Sequence, residues 1–511
     1  MSNDDQHDLT GKSRLVANVV TSWVSHFLII ITGFFMPRII DAQLGQTLLG
    51  VWDFAWSLVA YVSLAQLGIG SSLNRFVANY RAEGADDKLQ TAASTVALIQ
   101  CVLSLLVAIA IVTTAYTLPM FHGEQLGKDL HTAQLVVLFL GLSIAVQFFF
   151  DTSRGILTGS HRWDLYNALY SGTQLLCSLF MLIALLLGYS LVALSIIYFS
   201  MLTIEGIIRF FLARHICPAA SFSRSAISKE FGLEILKFGL KSFIMQISPI
   251  IVIQGCSILI ASTLGHAALA VIARPNALIR HIQTFITQFT FILTPMAGPL
   301  LSQEGPESLR QFTIACARYG LAFTLPLIIL FCYYGDELIL VWMGPKYVNE
   351  TLVMILGLGM LLPMSQSPIV RVLIGLDYHG KAALMSVVVS LILFGSGAAI
   401  IRATGESLEA FALLIAVTMT TVNGILVPIY SCKKLEINLL GYIKEVFFKV
   451  TTLCAIALVP LYVLDQVIEL RGMWILFNTA VFGICVIILY WVFLLPADGK
   501  QKLLAKIPKF A

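Results

Sequence analysis

Fourteen stretches of this chain are each apolar over roughly 20 residues, about the length that crosses the ~30 Å hydrocarbon core of a bilayer. They fall at 16–38, 50–73, 91–117, 132–154, 164–187, 191–213, 238–262, 267–298, 313–334, 351–373, 381–401, 407–430, 446–465 and 473–495. A backbone inside hydrocarbon has to satisfy its own hydrogen bonds, and a helix does so within one segment. The expected fold is therefore an all-α polytopic membrane protein of about 14 transmembrane helices. Only 12% of the residues are charged, half of the roughly 25% usual in soluble domains. The start, MSNDDQHDLTGKSR, is polar and has no short apolar core before a small-residue cleavage site. The first span is thus expected to act as the membrane-targeting signal itself.

Lysine and arginine set the orientation. With the N-terminus inside, 25 of the 32 fall in or beside cytoplasmic segments. Five (Arg38, Lys128, Lys346, Arg402 and Arg471) fall outside, and Arg274 and Arg280 lie within span eight. Such a bias puts both termini in the cytoplasm. The longest outer loops, about 118–131 and 335–350, are too short for a catalytic domain. The nine cysteines include no CxxC and none with a histidine at metal-ligand spacing, so they read as small buried hydrophobes. No P-loop, GxSxG or HExxH occurs. No cofactor or metal is expected; the energy source would be a gradient, with coupling to H+ or Na+ left open.

The chain repeats itself. LGQTLLGVW (Leu44–Trp52) aligns with LGHAALAVI (Leu264–Ile272) at an offset of 220. EGADDKLQ (Glu83–Gln90) aligns with EGPESLRQ (Glu304–Gln311) at 221, and RGILTGSHR (Arg154–Arg162) resembles RVLIGLDYH (Arg371–His379), with Gly159 over Gly375 at 216. Three weak matches in order, at a nearly constant offset, indicate two copies of a six-helix unit. Six being even, both copies have one orientation, related by an axis along the membrane normal, with a seam between lobes where transporters bind substrate. The expected division is a cytoplasmic tail 1–15, an N-lobe 16–213, a basic cytoplasmic linker 214–237, a C-lobe 238–432, an appended helix pair 433–495 and a basic cytoplasmic tail 496–511. That last tail, with Lys500, Lys502, Lys506 and Lys509, is expected to lie on anionic lipid.

The stretch from Leu15 to Tyr80 resembles the first two spans of the polysaccharide transporter family, the oligosaccharide-lipid flippases of the multidrug/oligosaccharidyl-lipid/polysaccharide exporter superfamily. The resemblance rests on an LG-x-x-x-x-G turn (Leu44, Gly45, Gly50), an aromatic-rich second span, a GIG end (Gly68, Gly70) and Arg75. ILTGSHRWDLYN (Ile156–Asn167) and WMGPKYVNETLVMILGLGMLL (Trp342–Leu362) are similar to later family segments. The resemblance implies two six-helix lobes in a V that open alternately to each side, with spans thirteen and fourteen present in some members only. The chain departs from it at ARPNALIRH, where the family often has a less charged, aromatic-rich segment.

Charge deep in a span costs about 2.5 kcal/mol upward, and persists where it meets a wet cavity or a partner. In span eight, Arg274 and His281 share a face, while Arg280 lies about 120° away on the side of Asn276. One reading is a cationic cavity wall that holds a pyrophosphate or an acidic sugar, for which arginine's planar donor fork is suited. The other is a fixed contact that only stabilises the bundle. Arg38 near the outer end of span one and Arg75 at the inner end of span two extend the candidate substrate-binding set. Their alternatives are snorkelling and the inner charge bias. The repeat maps Asp53 onto Ala273, beside Arg274, which makes Asp53 and Arg274 a candidate gate or coupling pair. Asp151 with Arg154, and Glu205 with Arg209, are spaced for local pairing. Asn18, Gln66, Gln246, Gln254, Gln283 and Gln288 are candidates for sugar hydroxyls or for interhelical bonds. His26 reads as a core histidine.

These residues and the resemblance together lead to the expectation of a gradient-driven flippase for polyprenyl-pyrophosphate-linked oligosaccharides in the bacterial inner membrane, not an enzyme. Its partners would be that lipid-linked oligosaccharide and membrane lipids, with polysaccharide polymerase machinery left open and no nucleic acid. A cation-coupled multidrug exporter is the alternative, disfavoured by Arg274 and Arg280. A polysaccharide polymerase or ligase would need a large outer loop.

Overall fold

The computed structural model describes residues 12–66, 69–290, 293–467, 473–496 and 500. The first eleven residues, Gly68, Arg471 and the tail residues Lys502, Lys506 and Lys509 lie outside them, as do the side chains of Asn18, His26 and Gln288. The first eight helices are α1 Lys12–Leu44, α2 Gln46–Ser63, α3 Ile69–Glu83, α4 Asp86–Leu126, α5 Leu130–Gly159, α6 Trp163–Leu186, α7 Leu191–Ile216 and α8 Lys229–Thr263. There follow α9 His266–Thr290, α10 Thr294–Met343, α11 Glu350–Ser365, α12 Ser367–Gly375, α13 His379–Thr404, α14 Leu408–Met419, α15 Val427–Lys434, α16 Leu439–Ile443, α17 Lys449–Val467 and α18 Met473–Leu489. Among the described residues, the fourteen apolar stretches fall on helix and there is no strand. Among the described residues, eleven runs are long and apolar enough to cross a membrane; one of them, Asp86–Gly159, holds spans three and four together.

The repeat is written into the backbone. Positive φ occurs at Gly45 and Gly265 (89° and 87°), Gly84 and Gly305 (66° and 87°), Gly127 and Gly344 (46° and 95°), and Gly188 and Gly405 (80° and 127°). The non-glycine pair His161 and Asp377 (58° and 56°) follows the same spacing. Among the described residues only Glu436 has positive φ without such a counterpart. One packing contact also recurs. A Cβ on Gly159 would stand 2.7 Å from the carbonyl oxygen of Asn74, and one on Gly375 would stand 2.3 Å from that of Thr294. Asn74 and Thr294 are themselves 220 residues apart, so the same glycine admits the same helix in each copy.

The chain forms two compact units, Met1–Ala273 and Arg274–Ala511, with the division inside α9. In the first, Ile69, Leu73, Val77, Leu89, Val96 and Leu157 form a buried core. The segment ahead of α8 is pinned to α4: Ser223 N donates to Ser94 Oγ (2.9 Å) and Ser228 N to Thr95 Oγ1 (3.0 Å). Ser228 then caps α8 by accepting from Phe231 N. Further along, Tyr61 Oη donates to Ile251 O (3.1 Å) and Gln125 Nε2 to Ser262 O (2.7 Å), so α8 is held along its length by the N-terminal unit.

In the second unit, Ala317, Leu321, Ile369, Leu373 and Val427 share a core with Val446 and Val450 of the appended helices. Polar contacts fix that pair to α10. Asn478 Nδ2 donates to Tyr334 Oη (2.6 Å), and Tyr333 Oη donates to Asp465 Oδ2 (2.7 Å). Cys177, Cys217, Cys256, Cys316, Cys432 and Cys454 are buried thiols, as expected of small hydrophobes, whereas Cys332 and Cys485 are half-buried and Cys101 is exposed, against that expectation.

Candidate functional site

α9 carries the densest group of candidate residues and is interrupted by Pro275. The proline has no N–H for the carbonyl of Val271, one turn earlier, which weakens the helix just past the division between the units. Arg274 is 2% exposed, with its guanidinium 5.9 Å from the centre of the Trp342 ring near the end of α10. A cation over a desolvated indole is worth up to about 2 kcal/mol, a sizeable part of the cost of burying the charge. Arg280, six residues on, is exposed, and Asn276 and His281 are half-buried. The 120° rotation between the arginines thus separates one buried charge from one open to its surroundings. Arg280 can reach an anion from this conformation, whereas Arg274 is closed off by its packing.

The remaining candidates lie on other helices of the first unit. Arg38 is exposed on α1, Arg75 is exposed on α3 and Asp53 is half-buried on α2. Asp53 belongs to the first unit and Arg274 to the second.

Two buried polar clusters in the first unit are richer than their spacing suggested. Glu205 and Arg209 pair at 3.0 Å on α7. Gln147 of α5 completes a triangle, donating to Glu205 Oε2 (3.1 Å) and accepting from Arg209 Nη2 (3.1 Å). Asp151 and Arg154 pair at 2.8 Å on α5. Asp151 also accepts from Gln66 Nε2 (3.1 Å), following α2, and from Gln100 Nε2 (3.4 Å) of α4. Gln66 is therefore an interhelical hydrogen-bonding residue. The ion pairs were visible as i,i+3 and i,i+4 spacings; the glutamines from neighbouring helices leave no local signature. A third group, His122 of α4 with His266 at the start of α9, joins residues 144 positions apart, and only the place of His266 just after the repeated Leu-Gly turn hinted at it.

The sequence profile of the polysaccharide biosynthesis protein family matches residues 62–351. No curated protein matches the chain. Among solved structures, the lipid II flippase MurJ in an inward closed conformation is similar at a TM-score of 0.68 and 13% identity, over 96% of this chain and 100% of that one. An inward-facing multidrug resistance MATE family transporter is similar at 0.63 and 15%, over 83% and 97%. A MOP superfamily transporter from Pyrococcus furiosus, whose binding pocket is described as of reverse polarity, is similar at 0.61 and 13%, over 84% and 97%. At these identities the likeness is one of fold, and it is a fold of multi-pass membrane transporters.

Proposed function

We propose that this chain, which belongs to the polysaccharide biosynthesis protein family, is a flippase. Its cargo is a polyprenyl-pyrophosphate-linked oligosaccharide repeat unit, carried across the bacterial inner membrane by alternating access for O-antigen, capsule or exopolysaccharide assembly. Both termini face the cytoplasm. The observation that carries this reading is Arg280, an exposed guanidinium on a proline-broken helix whose other arginine is buried. Arg280 supplies planar donors to pyrophosphate oxygens, and Asn276, four residues earlier on the same side, supplies an amide. Arg75 meets the phosphate at the inner face, Arg38 extends the cationic path outward, and His281 adds a donor beside Arg280. The lipid tail stays in the bilayer beside the appended helix pair. A gradient of H+, of Na+ or of the substrate drives the cycle, with Asp53 and Arg274 as the gate or coupling pair, and the product is passed to polymerase machinery.

The test is a deletion strain. Lipid-linked repeat units should accumulate on the cytoplasmic leaflet and be cleared by the wild-type gene. Arg280→Ala should clear them 10- to 100-fold more slowly, the loss of one charge-assisted contact at about 1.5–3 kcal/mol. Normal surface polysaccharide in a deletion strain with no redundant flippase would reject the reading. Loss of dye efflux instead would favour a multidrug exporter.

A further inference from the structure

The outer end of the first unit holds a ring triangle. Phe54 of α2 lies 4.7 Å from the His122 ring and 5.1 Å from the His266 ring, and the two imidazoles are 5.7 Å apart, centre to centre. All three are buried, with Phe54 at 1%, His122 at 5% and His266 at 2% exposure. Among the described residues, neither ring nitrogen of His266 has a hydrogen-bond partner, and nor does Nδ1 of His122. Buried histidine nitrogens ordinarily find partners; here they face rings.

The same residues fasten the start of α9. His266 is its first residue. Its carbonyl oxygen sits so close to Gly50 of α2 that a Cβ there would stand 1.8 Å away. Gln46 Nε2, one turn before Gly50, donates to the carbonyl of Ala267 (3.0 Å). The helix that carries Arg274, Pro275 and Arg280 is therefore clamped to α2 by a glycine contact, one amide bond and the ring triangle. Only the triangle can change charge.

We propose that His122 and His266 are a proton-binding site that releases the start of α9 from α2 when it is protonated from the outer side. With both rings neutral, the triangle packs as three aromatic faces. One added proton meets the Phe54 ring, which partly accommodates a cation. A second places two imidazolium groups side by side, which burial and like charge both oppose. The charged groups on the elements around the site are Asp53 on α2, Glu124 on α4, Lys128, Asp129 and His131 in the following turn and helix start, and Arg274 farther along α9. Burial holds His266 below the ordinary imidazole range, and the neighbouring His122 ring adds to it. The described residues gather no three histidine, cysteine or acidic side chains fit for a metal ion. In the released state the histidines regain ordinary basicity, near 6.5. The clamped state binds fewer protons, so the clamp is firm above that range and weakens as the pH falls below it, by up to about tenfold per pH unit for each histidine. The proposal does not rest on the cargo.

Hydrogen exchange read by mass spectrometry on the purified full chain in lipid nanodiscs tests it. After correction for intrinsic rates, amides in peptides covering 46–54 and 266–273 should exchange at least tenfold faster at pH 5.0 than at pH 7.5, while α6 and α7 stay protected. His122→Phe and His266→Phe keep a ring and cannot take a proton; each should reduce the acid response, and the double variant should abolish it. Equal protection of the wild type at both pH values would overturn the proposal, and so would variants that respond to acid as the wild type does. If neither variant folds, the wild-type profile alone decides.

Discussion

Glu205→Ala should be among the most damaging single substitutions in the first unit. The side chains of Glu205 and Arg209 are 0% and 2% exposed, and their 3.0 Å pair is closed into a triangle by Gln147. Removing the carboxylate leaves a buried guanidinium whose Nε already lacks a partner, held by Gln147 alone. Breaking one side of a buried pair costs about 3–5 kcal/mol. At about 1.4 kcal/mol per tenfold, the folded-to-unfolded ratio falls by two to more than three orders of magnitude. Replacing both partners with apolar groups of similar volume removes the uncompensated charge. Glu205→Leu with Arg209→Met loses the Gln147 bonds, roughly 1–3 kcal/mol, and gains back desolvation of comparable size. The double variant should therefore be more stable than Glu205→Ala by at least about 1 kcal/mol. Steric trapping in bicelles gives the free energies, and complementation of a deletion strain gives function. A loss below about 1 kcal/mol for Glu205→Ala, or equal losses for the single and double variants, would refute the reasoning. A double variant that is stable yet fails to complement would show that the triangle serves transport as well as folding.

Three further outcomes are expected. Gly159→Ala and Gly375→Ala should each cost about 1–3 kcal/mol, because the new methyl meets a helix carbonyl well inside contact distance; thermal unfolding that leaves either variant unchanged would remove the packing role given to that glycine. Burial pushes the Cys217 thiol above its usual range, against a smaller pull from Arg81. Its thiolate is then scarce near pH 7.5, and alkylation followed by peptide mass spectrometry should lag a free thiol and still be climbing past pH 8.5. Cysteines at 53 and 274 should crosslink in one transport state, as the sequence repeat proposes; a pair that crosslinks in none would end the gate reading.

The helices were legible because hydrocarbon permits so few alternatives: fourteen apolar runs fell on helix, and the loose LG, EG and RG matches marked positions where the backbone repeats its positive φ. The local ion pairs were legible for the same reason, since a helix fixes which residues are neighbours. What stayed hidden was set by contacts between helices. Spacing put Arg274 and Arg280 on different faces, but which one is buried depends on where Trp342 lies. Gln147, Gln100, His122 and His266 are joined by packing to partners 51 or more positions away, which no local spacing records.

The two copies of the repeat also differ in length in a telling way. From Gly84 to Gly127, the turns that bracket α4, is 43 residues; from Gly305 to Gly344, the counterparts along α10, is 39. Four residues are close to one helical turn, about 6 Å of rise and a 40° change of phase. A difference of one or two residues would have rotated a lipid-facing stripe into the bundle, whereas four nearly preserves every face. After duplication, such helices can therefore gain or lose length in whole turns. A graded series of four-residue insertions in α4 or α10 is the natural way to alter the length of each helix without disturbing what it packs against.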